Sequence, residues 1–150
     1  MQNRSPKDYW FVGIQFTLFF AFLFNFPYSI GIHFWVKYLG LGIAILGLAI
    51  VIIALFHLDK NLTAFPTPKV QSELITSGLY AFMRHPIYSG ILLTVFGFSA
   101  FSDSIYRLII SFSLLVLFYF KTNYEEKKLK NKYPEYSNYK AKTGRFLPRF

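Results

Sequence analysis

The sequence contains no cysteine and little acidic charge: seven Asp and Glu stand against sixteen Lys and Arg in 150 residues. Without a thiol there is no disulfide framework, no cysteine nucleophile and no Cys-ligated metal site. The three histidines, His33, His57 and His85, lack the close His/Asp/Glu spacing of a zinc or iron centre, so no metal is expected. No Gly-x-Gly loop follows a strand, which excludes a Rossmann-type nucleotide site. Charge of either sign is scarce as well, at 15% of residues.

Apolar residues fill the space. Hydrophobic residues make up 54% of the chain and aromatics 21%, with nineteen Phe and eleven Tyr gathered in long uncharged stretches. That balance is too apolar for a soluble domain of this size and points to lipid contact. The length allows one unit, residues 1–150.

Four apolar runs read as helices: Trp10 to about Pro27, Trp35 to about Leu58, Ile87 to Ser102, and Ser104 to Phe120. The third and fourth are short, about 24 to 26 Å at a rise of ~1.5 Å per residue, and only Ser102, Asp103 and Ser104 divide them. They are expected to form an antiparallel hairpin. Basic residues ahead of the first run resemble a signal peptide, but "FNFPYSIG" offers no small-x-small cleavage site, so a retained helix is expected. The expected fold is all-α, a polytopic membrane bundle of four transmembrane helices. Its polar pocket is made by the middle loop and the C-terminal helix and tail.

Lys and Arg set the orientation. Arg4 and Lys7 precede the first run, Lys60, Lys69 and Arg84 lie in the middle loop, and nine follow from Lys121 onward; the two opposite connections carry none. The positive-inside rule places both termini and the middle loop in the cytoplasm, with an inner or plasma membrane as the location. Against three Glu, those nine basic residues put +6 of the formal +9 in the last thirty residues, directly after an apolar run. A tail beside anionic lipid accounts for that charge, and no nucleic-acid partner is expected. The middle loop contains Pro66, Pro68 and a Ser-Gly, so it is not one helix. After the fourth run, "KTNYEEKKLKNKY" continues as helix until Pro134, with Lys121, Glu125 and Leu129 on one face.

"LITSGLYAFMRHPIYSG" (Leu74 to Gly90), two apolar helices, "EEKKL" (Glu125 to Leu129), "EYSNYK" (Glu135 to Lys140) and "RFLP" (Arg145 to Pro148) together resemble the isoprenylcysteine carboxyl methyltransferase family. The resemblance runs from about Ser72 to the C-terminus. It implies an integral membrane methyltransferase using S-adenosyl-L-methionine, with cofactor contacts at Leu74, Ile75, Tyr80, His85, Pro86, Ile87, Tyr88 and Glu125. The family's substrate-contacting Arg falls on Lys121, which keeps the charge but loses the bidentate fork. The catalytic candidates are Lys121, Glu126 and Arg84.

The residues offer such a cofactor an acidic acceptor in Glu125 or Glu126, donors in Arg84 and His85, and aromatic walls in Tyr80 and Tyr88. Methyl transfer is an in-line displacement, so alignment and water exclusion are the protein's main tasks. Glu126, His85 and the tail tyrosines are available as bases, but no dyad stands out. The acceptor is expected to be lipophilic, most like a prenylated carboxylate, approaching from the membrane lipids. A phospholipid amine or a thiol on the same scaffold, or a non-catalytic lipid-binding module, are the alternatives; oligomeric state is left open. Tyr136 and Tyr139 read as interfacial anchors, and Gly40, Gly42, Ala44 and Gly47 as a close-packing face.

Overall fold

The computed structural model describes residues 4–26, 28–58, 61 and 63–149. Pro27, the expected end of the first run, and Lys60, counted in the middle loop, lie outside the described residues. The architecture is all-α. Among the described residues there are five helices: α1 (Pro6–Leu23), α2 (Phe34–Leu58), α3 (Pro86–Phe101), α4 (Ile105–Lys132) and α5 (Tyr136–Lys142). A 3-10 turn, Gly78–Ala81, interrupts the largely irregular stretch before α3.

Helices α1 to α4 occupy the four apolar runs. Of these, α2 and α4 are long and apolar enough to cross a bilayer, whereas α3 is a shorter apolar helix of 16 residues. The apolar window of α2 is only 22% buried inside the protein, and Leu39, Ile45 and Phe56 stand on its exposed surface. An apolar surface that extensive is stable against hydrocarbon, not water.

Helix α1 departs from its expected limits at both ends. It begins at Pro6 rather than Trp10, because Ser5 and Asp8 form a capping box and Pro6 occupies the first helical position. Asp8 accepts from the Ser5 backbone N–H at 2.9 Å and from the Thr67 hydroxyl at 2.6 Å, and pairs with Lys128 at 3.3 Å. A charged first turn is therefore held by tertiary partners. The helix stops at Leu23, beyond which Phe24 is extended.

Helices α2 and α3 meet at backbone distance. A Cβ on Gly47 would lie 2.6 Å from the Gly90 carbonyl oxygen, and one on Gly40 would lie 2.7 Å from that of Gly97. Each helix thus supplies two glycines spaced two turns apart, and the antiparallel pairs Gly40/Gly97 and Gly47/Gly90 form the seam. Ala44 lies buried between them. Gly42 does not join the seam, since nothing lies within 4 Å of a Cβ placed there.

The α3–α4 hairpin turns through Asp103, a non-glycine residue at φ 52°. That conformation is sustained by the number of partners its carboxylate holds. It accepts from the Ser29 hydroxyl (2.6 Å) and the backbone N–H of Ile30 (3.1 Å) and Ile32 (3.0 Å), and pairs with Lys37 (3.0 Å). The Ser29 hydrogen bond, then the Ile32 N–H and the Lys37 ammonium, hold the Asp103 carboxyl well below the usual carboxylate range. Leu92 and Val95 of α3 pack on Ile110, Leu114, Leu117 and Phe118 of α4, and Phe11, Leu18 and Phe22 of α1 pack against that cluster. The expected continuation of the fourth run is observed: α4 stays helical to Lys132 and stops just before Pro134.

Candidate functional site

The irregular segment between α2 and α3 leaves many backbone carbonyls without helical partners. The basic residues of α4 satisfy several. Lys121 Nζ donates to the Ala64 carbonyl at 2.9 Å, Lys128 to the Thr67 hydroxyl, and Lys132 to the carbonyls of Lys69 and Val70. Tyr133 adds its hydroxyl to the Ser72 carbonyl at 2.6 Å. Cations that the sequence assigns to a tail beside anionic lipid therefore hold a loop against the helix.

The tail seals the opposite side. Gly144 accepts from the Arg84 N–H at 2.9 Å and donates to the Phe82 carbonyl at 3.2 Å, while the Arg145 carbonyl accepts from the His85 N–H at 3.1 Å. The Ser89 hydroxyl donates to the Phe146 carbonyl at 2.6 Å. Docked there, the tail covers the start of α3.

Under this cover Glu126 gathers three cationic side chains and the His85 ring. Its Oε1 lies 2.9 Å from Arg84 Nε, 3.3 Å from His85 Nε2 and 3.8 Å from Arg145 Nε, and its Oε2 lies 2.6 Å from Lys140 Nζ. Arg84 also donates to the Thr143 carbonyl and, at 3.1 Å, to that of Lys140. Every partner of Glu126 comes from the start of α3, from α5 or from the tail, so one buried carboxylate joins them.

Glu125, its neighbour, points elsewhere. Its Oε2 accepts from the Tyr88 hydroxyl at 3.2 Å, and no Lys, Arg or His stands within ion-pair distance of it among the described residues. Tyr88 is stacked between His85 (5.6 Å between centroids) and Phe118 (4.7 Å), which runs an aromatic column from the loop into the helix core.

Two adjoining cavities flank this column. The loop-side cavity, about 100 Å³, is walled by Leu74, Ile75, Tyr80, Pro66, Tyr133, Tyr136 and Tyr139. The helix-side cavity, about 400 Å³, is walled by Gln15, Ala64, Ile87, Tyr88, Ile91 and Lys121. Leu58, Thr63, Tyr80, Arg84, His85 and Glu125 border both. Lys121, Glu125 and Leu129 do share one face, and it is the face toward the cavities.

The residues expected from the sequence are thus largely brought together. Leu74, Ile75, Tyr80, His85, Ile87, Tyr88, Glu125, Arg84 and Lys121 all line cavity wall. Pro86 is buried as the first residue of α3 and lines neither cavity. Glu126 also lines neither; it borders a separate surface hollow with Lys127, Lys130 and Lys140. Tyr136 is 1% exposed, so it is a wall residue and not an interfacial anchor.

The Tyr139 hydroxyl donates to the Tyr80 carbonyl at 2.7 Å. Burial, opposed by the Arg84 charge and reinforced by Glu126, pushes the Tyr139 phenol up to about 12. Burial and the Glu125 charge push Tyr80 up, and burial with the Glu126 charge does the same to Tyr136. Phenols held neutral in this way can wall a site and donate, but they are not bases at neutral pH. Gln15, Thr63, Ala64 and Tyr133 complete the walls without having been singled out in the sequence. Gln15, a buried amide inside an otherwise apolar run, carried a signal. Among the described residues, no group of three or more His, Cys, Asp or Glu is placed to hold a metal ion.

A helical bundle with exposed apolar flanks and two adjoining cavities, built from loop, long helix and tail, defines an integral membrane protein with a candidate site at one end of its helices. The phospholipid methyltransferase family model matches residues 35–136, and the chain belongs to that family. The cobalt-zinc-cadmium resistance protein CzcN of Cupriavidus metallidurans is 28% identical over 77% of this chain and 52% of its own length. The nickel-cobalt-cadmium resistance protein NccN of Alcaligenes xylosoxydans xylosoxydans is 29% identical over 52% of this chain and 37% of its own. This chain therefore spans about half or less of the relatives it matches. In fold it is similar to the eukaryotic intramembrane Ras methyltransferase ICMT (isoprenylcysteine carboxyl methyltransferase). The TM-score is 0.70 over 97% of this chain and 53% of that one, with 24% identity.

Proposed function

We propose that this protein is an S-adenosylmethionine-dependent methyltransferase of a lipophilic acceptor, with the cofactor held across the two adjoining cavities at the cytoplasmic end of the bundle. The observation that carries this reading is Glu125. It is a carboxylate in the wall of both cavities, oriented by Tyr88, with no Lys, Arg or His within ion-pair distance among the described residues; Lys121, one turn away on the same face, acts on it only at longer range. Such a carboxylate is best completed by a cationic ligand. S-adenosylmethionine, when bound, supplies an electrophilic methyl group on a sulfonium and brings an ammonium as well.

Other features of the cavity fit the same cofactor. The Tyr136 hydroxyl is buried with no hydrogen-bond partner among the described residues, a polar atom a ligand can satisfy. Tyr80, Tyr133 and Tyr139 offer aromatic wall for a base. Arg84 and His85 are held in place by Glu126, which suits them to positioning rather than proton transfer. The walls exclude water and align the acceptor, and the acceptor arrives already nucleophilic or is made so by desolvation.

A lipid-borne acceptor is supported by the family and by the apolar Leu58, Ile87 and Ile91 on the helix-side wall. A prenylated carboxylate, as the sequence resemblance implies, is the acceptor this reading favours. Cytoplasmic placement of both termini and the middle loop is supported by the Lys and Arg distribution.

The test is saturable binding of S-adenosylhomocysteine to purified protein, followed by labelled methyl transfer into a total lipid and prenyl-peptide extract. Glu125→Ala and His85→Ala are expected to weaken binding. Absence of binding, or binding untouched by both variants, overturns the reading in favour of a non-catalytic lipid module.

A further inference from the structure

The five lysines of α4 divide between two faces of the helix. Lys121, Lys128 and Lys132 turn inward and donate to the segment before α3. Lys127 and Lys130 turn away: at about 100° per residue they stand nearly opposite Glu125, the middle of the cavity-facing side. There they border a hollow of about 590 Å³ together with Asn123 of the same helix and with Tyr136, Ser137 and Lys140 of α5. Asn123, Lys127 and Lys130 recur at helical spacing on α4, as Tyr136 and Lys140 do on α5, so two helical faces converge on one space.

The charge in that space is unbalanced. Lys127 and Lys130 are exposed and form no hydrogen bond or ion pair with the protein among the described residues. Three positions apart on one face, they repel each other. One carboxylate borders the hollow, Glu126, and Lys140 shares it with Arg84 and Arg145. Glu125 faces the cavities on the other side of the helix, and Glu135, at the start of α5, lies outside the hollow. Three ammonium groups against one carboxylate leave an excess of two positive charges around one opening.

Its position selects the source of the anion. Tyr119 and Phe120, both half-exposed, end the apolar part of α4. At a rise of ~1.5 Å per residue, Asn123 stands about 4.5 Å and Lys130 about 15 Å beyond Phe120. The headgroup layer extends roughly 5–8 Å past the hydrocarbon, and lysine side chains snorkel toward it. The hollow therefore opens where lipid phosphate is concentrated and free phosphate is dilute. A phosphomonoester carries about −1.5 to −2 at neutral pH and matches the excess, which a singly charged phosphodiester does not.

We infer that the hollow between α4 and α5 binds the phosphomonoester headgroup of an anionic lipid through Lys127, Lys130 and Lys140, and that the bound headgroup clamps α5 and the tail onto α4. Lys140 belongs to α5 and the other two to α4, so one anion bridges both helices beside the Glu126 cluster that holds the tail. The site is separate from the cavities and does not rest on the methyltransferase reading.

The experiment titrates the full chain, in neutral detergent, with dioleoyl phosphatidic acid, dioleoyl phosphatidylglycerol or inorganic phosphate, and counts bound molecules by native mass spectrometry. Phosphatidic acid is expected to bind about tenfold more tightly than phosphatidylglycerol, and inorganic phosphate far more weakly than either. Lys127→Gln with Lys130→Gln is expected to lower phosphatidic acid affinity about tenfold and to remove the preference, with the fold intact because neither lysine has a protein partner. Lys142→Gln with Arg149→Gln removes the same charge from exposed positions outside the hollow and should change affinity by less than about twofold. Phosphatidic acid added to phosphatidylcholine nanodiscs should slow proteolysis of the tail after residue 140 in the wild type and not in the Lys127→Gln, Lys130→Gln variant. The inference is overturned if the two double variants lower affinity alike, which would leave only a diffuse basic surface. Equal binding of the two lipids, inorganic phosphate binding as tightly as phosphatidic acid, or wild-type proteolysis indifferent to phosphatidic acid would overturn it as well.

Discussion

The Tyr88 hydroxyl donates to Glu125 Oε2 at 3.2 Å, while the Tyr88 ring is stacked between His85 and Phe118. One side chain thereby links the first turn of α3 to the carboxylate of α4 that lines both cavities. Tyr88→Phe keeps the stack and removes one neutral-to-charged hydrogen bond, worth about 1.5–3 kcal/mol. The expected result is S-adenosylhomocysteine binding weakened by roughly tenfold to a hundredfold in calorimetry, with thermal stability little changed. Glu125→Gln removes the charge and should weaken binding further.

Glu126 predicts a different phenotype. Replacing it by Gln leaves Arg84, His85, Lys140 and Arg145 without their shared carboxylate. Breaking a buried pair from one side costs about 3–5 kcal/mol. Glu126→Gln should lower the unfolding temperature in detergent and open the tail to limited proteolysis after residue 140. A variant that unfolds like wild type with an intact tail would show that the cluster does not hold the tail.

The glycine seam separates close approach from mere smallness. Gly47→Ala places a Cβ 2.6 Å from backbone atoms of α3, which cannot move aside as a side chain can. Overpacking of this kind costs about 1–3 kcal/mol. Gly42→Ala has nothing within 4 Å to meet and replaces glycine in a helix interior, a gain of up to about 1 kcal/mol. Opposite shifts in unfolding temperature are expected for the two variants.

Asp103 supplies a pH dependence at the other end of the bundle. Its carboxyl is held below the usual range, first by the Ser29 hydroxyl, so its contribution is complete above the unfolded-state value of about 3.9. It is lost as pH falls through the depressed folded value. The stability difference between wild type and Asp103→Asn should be flat from neutral pH down to about pH 5 and shrink only in stronger acid. A difference that already declines between pH 7 and 5 would contradict the tie among Asp103, Ser29 and Lys37.

What the sequence by itself determined is local. Apolar runs, proline positions and the spacing of Lys121, Glu125 and Leu129 are set by neighbours a few residues away, and they are enough to mark the helices, the break at Pro134 and the cavity-facing side of α4. The "RHPIY" stretch likewise announces a helix start carrying polar groups. The start of α1 escaped that reading because Asp8 and Lys7 look like flanking charges until Thr67 and Lys128 close on Asp8.

Only the tertiary structure decided which charge meets which. His85 and Glu126 are 41 positions apart, and Gln15 and Lys121 are 106 apart. No periodicity spans such distances, and of two adjacent glutamates only packing distinguishes the one bound by Arg84, His85, Lys140 and Arg145 from the one facing the cavity. The same holds for Tyr136 and the loop-binding lysines of α4. Their types suit a membrane surface, and they became wall and clasp because the loop and the tail fold over them, where buried backbone carbonyls require donors.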